Sequence, residues 1–169
     1  MTEKTIEKAR NIKLLLTDID GVWTDTGVYY SARGEELKRF SIRDGMGVER
    51  LRELASVETG IITGENSASV VKRAEKLGIV EMHLNAGHKA SVINSIMGKR
   101  SLAPEQVAYI GDDTNDIEAL SIAGFSACPA DAVSAVREIV DYVCENAGGH
   151  GAFRECAELI ILSKKEVTT

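Results

Sequence analysis

Leu14-Leu15-Leu16-Thr17-Asp18-Ile19-Asp20-Gly21-Val22 is the stretch that decides the fold. A short run of large aliphatic residues reads as a buried parallel strand, and it runs directly into two carboxylates one residue apart, followed by a glycine. Ligands of open parallel sheets sit just beyond the carboxyl ends of the strands, so Asp18 and Asp20 fall where chemistry is usually done. Carboxylates this close repel each other unless a cation or a shared proton lies between them, and a metal site is the economical explanation. Strand neighbours point to opposite faces, so side chains two apart can converge on one ligand where the strand ends. Gly21 lets the backbone turn sharply there. Acidic turns after strands are also common in their own right, so the later motifs decide.

Outward from this stretch, composition sets limits. With 169 residues, 44% hydrophobic and 27% charged, the chain suits a single globular domain over residues 1–169. A net charge of −6 argues against nucleic-acid binding through a general basic surface, while leaving room for a local anion site. Cys128, Cys144 and Cys156 lack any CxxC spacing and read as small hydrophobes in a reduced compartment, not as a disulfide framework or a thiolate zinc site. The first ten residues are polar and mixed in charge, and no apolar run is long enough to span a bilayer; the expectation is a soluble cytoplasmic protein. Pro104 and Pro129 are the only prolines, and no low-complexity tract marks a linker.

Strand-like and helix-like patterns alternate along the chain. A polar, partly helical lead-in over 2–11 precedes a strand at 12–17. A hairpin is expected over about 22–42, where aromatic and β-branched residues flank a polar turn, with Trp23 as a packing residue. A helix carrying Val48, Leu51, Leu54 and Ala55 leads to a strand at 60–62 that stops at Thr63-Gly64, and 65–76 follows as a helix. A strand at 79–84 leads to Gly87-His88-Lys89, which opens the next helix. The strand Val107-Ala108-Tyr109-Ile110 ends in Gly111-Asp112-Asp113-Thr114-Asn115-Asp116, more oxygens than a turn or a helix cap requires. Hard oxygen donors with no His or Cys nearby point to magnesium. Strands at 125–128 and 142–144 follow, with a helix over 132–140 capped by Asp131 between them. A loop from 146 and a terminal helix complete a tail over 146–169. The pattern predicts an α/β fold with a doubly wound, mostly parallel sheet.

Such a sheet gathers its strand ends on one edge, and four of them carry Asp-x-Asp, Thr-Gly, a lysine at a helix start, and the acidic cluster. Together, Asp18-Ile19-Asp20-Gly21-Val22, Ile62-Thr63-Gly64, Lys89 and Gly111-Asp112-Asp113-Thr114-Asn115-Asp116 resemble the four motifs of the haloacid dehalogenase superfamily of phosphatases. Val22-Trp23-Thr24-Asp25-Thr26-Gly27, Phe40-Ser41-Ile42-Arg43-Asp44-Gly45-Met46-Gly47 and Gly148-Gly149-His150-Gly151-Ala152-Phe153-Arg154-Glu155 narrow the resemblance to the 3-deoxy-D-manno-octulosonate 8-phosphate phosphatases. That resemblance implies a capless phosphomonoesterase acting on a 2-keto-3-deoxy sugar acid phosphate. It also implies a homotetramer in which hairpins form a central barrel and a neighbour's C-terminal tail helps to close the site.

Carried over by position, the resemblance makes Asp18 the nucleophile that becomes an aspartyl phosphate, and Asp20 the acid that protonates the leaving oxygen and then activates water. Thr63 and Lys89 would hold the phosphoryl oxygens, with Gly64 offering backbone contact. Mg2+ would be bound by Asp18, the Asp20 carbonyl and Asp112, supported by Asp113, Asn115 and Asp116. Arg43 and Arg154 fall among the substrate-binding residues. His88 stands where relatives often have an acidic residue. Glu65, Arg73 and Lys76 resemble the branch acting on nine-carbon acids, where they would read extra hydroxyls and a carboxylate, and they equally fit a solvated charged face. Both sugar lengths stay open. Two rivals remain: a receiver-like phosphoacceptor domain, in which the order of acidic motifs would be reversed, and a non-catalytic partner of a sugar-acid cytidylyltransferase.

Overall fold

The computed structural model describes residues 2–165; residues 166–169 of the expected tail lie outside the described residues. Its centre is β1 (Leu14–Thr17), buried at every position. Parallel partners flank it on both sides: Leu14 is in register with Glu58 of β4 (Glu58–Ile62) and with Val107 of β6 (Val107–Ile110). β5 (Glu81–His83) extends the sheet beyond β4, and β7 (Phe125–Cys128) and β8 (Tyr142–Val143) extend it beyond β6. The resulting six-stranded order, β5-β4-β1-β6-β7-β8, is parallel throughout. It reverses direction at β1, so the first strand end sits at the switch point.

Alternation along β1 divides the core. Leu15 joins an apolar cluster with α1 (Glu3–Arg10), α2 (Ile42–Ala55), α3 (Ala68–Leu77) and α7 (Ala152–Lys165), through Ala9, Leu51, Val70, Phe153 and Ile160. Leu14 and Leu16 face α4 (Lys89–Arg100), α5 (Ile117–Ile122) and α6 (Ser134–Arg137), meeting Ile93, Ile96, Leu120 and Val136. Helices on both faces make the sheet doubly wound, as the pattern predicts. No helix among the described residues is long and apolar enough to cross a membrane. Cys128, Cys144 and Cys156 are buried free thiols.

The hairpin is shorter than expected, with strands only at β2 (Tyr29–Ser31) and β3 (Gly34–Leu37). Its first part is diverted inward: Val22, Trp23 and Thr24 amides all reach the Ile19 carbonyl, and Trp23 is fully buried against Phe153 at a ring separation of 4.7 Å. Its second part ends because Ser41 caps α2, accepting from the Arg43 and Asp44 amides. Likewise α3 starts three residues late, because the Thr63 hydroxyl accepts from the Glu65 amide and holds a turn there. Asp131 does not cap α6; its Oδ1 accepts from the Gly148 amide at 2.9 Å, and Val133 occupies the cap position. That bond docks the loop at 146–151 against the first strand end, where the Gly149 amide donates to the Val22 carbonyl. A side chain at position 148 would lie 1.9 Å from the Gly21 carbonyl oxygen, so only glycine permits this approach.

Candidate active site

The backbone leaves β1 at Asp18, whose amide still bonds the Ile110 carbonyl of β6, so the side chain is aimed by a strand end fixed on both sides. Asp18 Oδ1 accepts from the Ile19 amide at 2.7 Å. Its Oδ2 lies 2.7 Å from Lys89 Nζ, which is also 2.6 Å from Asp116 Oδ1. Lys89 is buried at the first residue of α4, where a helix dipole alone would disfavour a cation. The two carboxylates hold it there: burial would lower its pKa, but the charges of Asp18 and Asp116 overcome that and raise it.

Asp116 is completely buried and fully engaged. Oδ1 accepts from Lys89 and from the Tyr109 hydroxyl at 2.6 Å, and Oδ2 accepts from the Asp112 and Asp113 amides. With its lone pairs taken, Asp116 serves as a hydrogen-bonding hub beneath the site. Asp112 lies against Gly21, where an added Cβ would fall 1.9 Å from Asp112 Oδ2; the left-handed φ of +86° independently requires glycine there. Asp113 Oδ1 accepts from the Thr114 amide, starting the turn that carries Asn115.

A cavity of about 210 Å³ opens over these groups, lined by Asp18, Asp20, Asp112, Asp113 and Asn115 on one side and by Thr26, Thr63, Gly64 and Glu65 on the other. Acidic oxygens of Asp18, Asp112 and Asp116 come within 4.8 Å of one another. Burial, then the neighbouring Asp116 charge, pushes Asp18 up to about 7, with Lys89 opposing. Burial, then the charges of Asp18 and Asp116, pushes Asp112 up to about 8. Acids crowded this far from their ordinary range suit a hard divalent cation, and the donors are all oxygen.

Of the residues expected from sequence, Asp18, Asp20, Thr63, Gly64, Glu65, Asp112, Asp113 and Asn115 line this cavity, and Lys89 and Asp116 lie beneath it. Arg73 does not reach it: Nη2 donates to the Ser41 carbonyl at 2.9 Å and the guanidinium stacks over Phe40. Lys76 is exposed on α3 away from the lining. Arg43 and Arg154 border a larger cavity of about 740 Å³ along α7, which lacks the gathered aspartates of the smaller one. Two residues escape a reading by sequence. Tyr109 looks like one more apolar strand residue, and Lys38 sits in an ordinary charged run, yet its amine is 2.5 Å from Asp20 Oδ1.

Comparison with known proteins agrees with this geometry. The haloacid dehalogenase-like hydrolase family matches residues 54–154, which include the second, third and fourth motifs. A 3-deoxy-D-manno-octulosonate 8-phosphate phosphatase of Salmonella typhi is 40% identical over 157 residues, covering 93% of this chain and 83% of the relative. The crystal structure of the enzyme of that name from Yersinia pestis superposes with a TM-score of 0.94 at 36% identity, covering 99% of this chain and 90% of the other. The Moraxella catarrhalis enzyme, solved with magnesium ion, phosphate ion and a KDO molecule, gives 0.94 at 33% identity, covering 98% and 95%.

Proposed function

This chain belongs to the haloacid dehalogenase-like hydrolases, in the family of 3-deoxy-D-manno-octulosonate 8-phosphate phosphatases, and from that premise we propose that it removes the terminal phosphate of a 2-keto-3-deoxy sugar acid phosphate through an aspartyl phosphate on Asp18. The observation that carries the reading is Asp18 itself: one carboxylate oxygen is held by the Ile19 amide, the other lies 2.7 Å from a buried lysine, and the residue lines an oxygen-rich cavity.

Asp18 attacks phosphorus. Asp20 gives a proton to the departing sugar oxygen and takes one from the water that cleaves the acyl phosphate. The Thr63 hydroxyl and Lys89 hold the phosphoryl oxygens, and the Gly64 backbone lies open beside them. Asp18, Asp112 and the Asp20 carbonyl would hold Mg2+, which supplies positive charge that lets an anionic nucleophile meet an anionic ester. Asp116 orients Lys89, and Asp113 and Asn115 frame the loop that carries Asp112.

Glu65 faces the cavity, which favours a second reading in which it meets hydroxyls of a nine-carbon acid. Tyr29, Tyr30, Leu37 and Ile42 are all more than half exposed on or beside the hairpin, which supports assembly into a homotetramer through that element. The test is phosphate release from the eight-carbon 8-phosphate and the nine-carbon 9-phosphate, side by side, with and without Mg2+. Mg2+-dependent turnover of one well above the other identifies the substrate. Hydrolysis of neither above a generic phosphate ester overturns the sugar-acid reading.

A further inference from the structure

Lys38 follows β3 on the hairpin, where a lysine is ordinarily solvated, yet none of its side chain is exposed. Its amine is 2.5 Å from Asp20 Oδ1 and 3.2 Å from Glu35 Oε2. Glu35 Oε1 accepts in turn from the Ser67 hydroxyl at 2.7 Å, at the start of α3. The four side chains form one line from α3, through the hairpin, to the loop after β1. A buried ammonium persists only where paired carboxylates compensate its desolvation. Here burial would lower the Lys38 pKa, but the hydrogen bond and charge of Asp20, then those of Glu35, overcome this and keep it a cation.

The consequence falls on Asp20. Lys38 occupies Oδ1, while Oδ2 is buried without any hydrogen-bond partner among the described residues, on a residue that lines the cavity. An unpartnered buried carboxylate oxygen is costly to keep unless a ligand completes it. We infer that Lys38 is a positioning residue that anchors the Asp20 carboxyl through Oδ1 and so fixes it at the cavity wall for proton transfer to the leaving oxygen of the ester. Glu35 and Ser67 hold Lys38 in place. This rests on the acid role proposed for Asp20 and adds a residue outside the four motifs to that step.

The experiment compares kcat/KM for 3-deoxy-D-manno-octulosonate 8-phosphate, whose alkoxide must be protonated as it leaves, with kcat/KM for 4-nitrophenyl phosphate, whose phenolate leaves without help. Because kcat/KM covers only the steps through departure of the first product, the later hydrolysis of the acyl phosphate does not enter. The ratio of the two values on one preparation also cancels any unfolded fraction, so a merely structural role leaves it unmoved. General acids contribute about 10²–10⁴-fold, and loss of positioning should remove part of that. Lys38→Met should lower the ratio on the order of 10-fold, and Glu35→Gln should move it the same way by less. Asp20→Asn is the control. If Asp20→Asn leaves the ratio unchanged, the acid role fails and this inference with it; if Asp20→Asn lowers the ratio while Lys38→Met and Glu35→Gln do not, only the role of Lys38 is overturned.

Discussion

Asp18, Asp112 and Asp116 bring three carboxyl groups into a space where one lysine amine contacts only two of them, and each residue around them has a distinct task. Replacing Asp18 by Asn removes the proposed nucleophile while keeping the shape, so phosphate release should fall to background with an unchanged circular dichroism spectrum; retained turnover would sink the nucleophile assignment. Tyr109→Phe deletes one of the two donors to Asp116 Oδ1 and leaves Lys89 as the other. That should lower stability by about 1.5–3 kcal/mol in urea titration, the usual scale for one hydrogen bond to a charged group. The first of these residues is legible in the sequence because a strand end delivers it beside a glycine, a purely local signal. Tyr109 is not, because its hydroxyl gains meaning only from Asp116, which the fold rather than the strand pattern places against it. Lys38 is hidden for the same reason, since pairing with Asp20 depends on how the hairpin folds over the site.

Whole elements are legible where the hydrophobic period is unbroken, as in α7, whose stripe of Phe153, Cys156, Ala157, Ile160 and Ile161 is buried throughout, and misread where a side chain captures a nearby backbone group; on α2, Leu54 of the expected stripe is exposed. The Thr63 hydroxyl delays α3, Trp23 burial shortens the hairpin, and Asp131 is drawn away from α6 by a glycine amide seventeen residues on. Glu155 on α7 shows how much one such capture secures: it accepts from the Tyr142 hydroxyl, the Glu145 amide, and the amide and side chain of Asn146. Burial would raise its pKa, but those hydrogen bonds, led by the one from the Glu145 amide, outweigh it and hold the carboxyl below its ordinary value. The ionised form therefore favours the folded chain. Its contribution is full above the ordinary glutamate value of 4.5 and is lost as pH falls through the lowered one. Glu155→Ala should destabilise by about 2 kcal/mol at pH 7, and the gap from the parent chain should narrow on acidification below pH 4 in matched denaturant titrations.

At the scale of the molecule, the fold class follows from alternating elements and the edge where the motifs gather, while the proposed assembly rests on an exposed apolar hairpin. Tyr30→Asp with Leu37→Glu should shift the sedimentation profile toward a monomer if the hairpin is the contact; an unchanged profile rejects it. The metal should reveal itself through pH. Asp18 and Asp112, raised from the ordinary 3.8 to about 7 and about 8, favour the protonated folded chain, so metal-free stability should fall as pH rises above the ordinary value and level off once both raised values are passed. Mg2+ needs the ionised forms, so the rise in Tm that it produces should be larger at pH 8.5 than at pH 5.5. Equal rises at both would count against a site built on these acids. The flanking of β1 by β4 and β6 also governs when the enzyme can come into being. The acid pair leaves the ribosome well before its frame, which requires residues 107–110, and before the loop that closes on Gly21, which requires residue 148. At roughly 5–20 residues per second, the ~90 residues between acid pair and β6 take on the order of 5–20 seconds to translate. During that interval the nascent chain carries its chemistry unassembled, and the site closes only once the loop through residue 148 has been made.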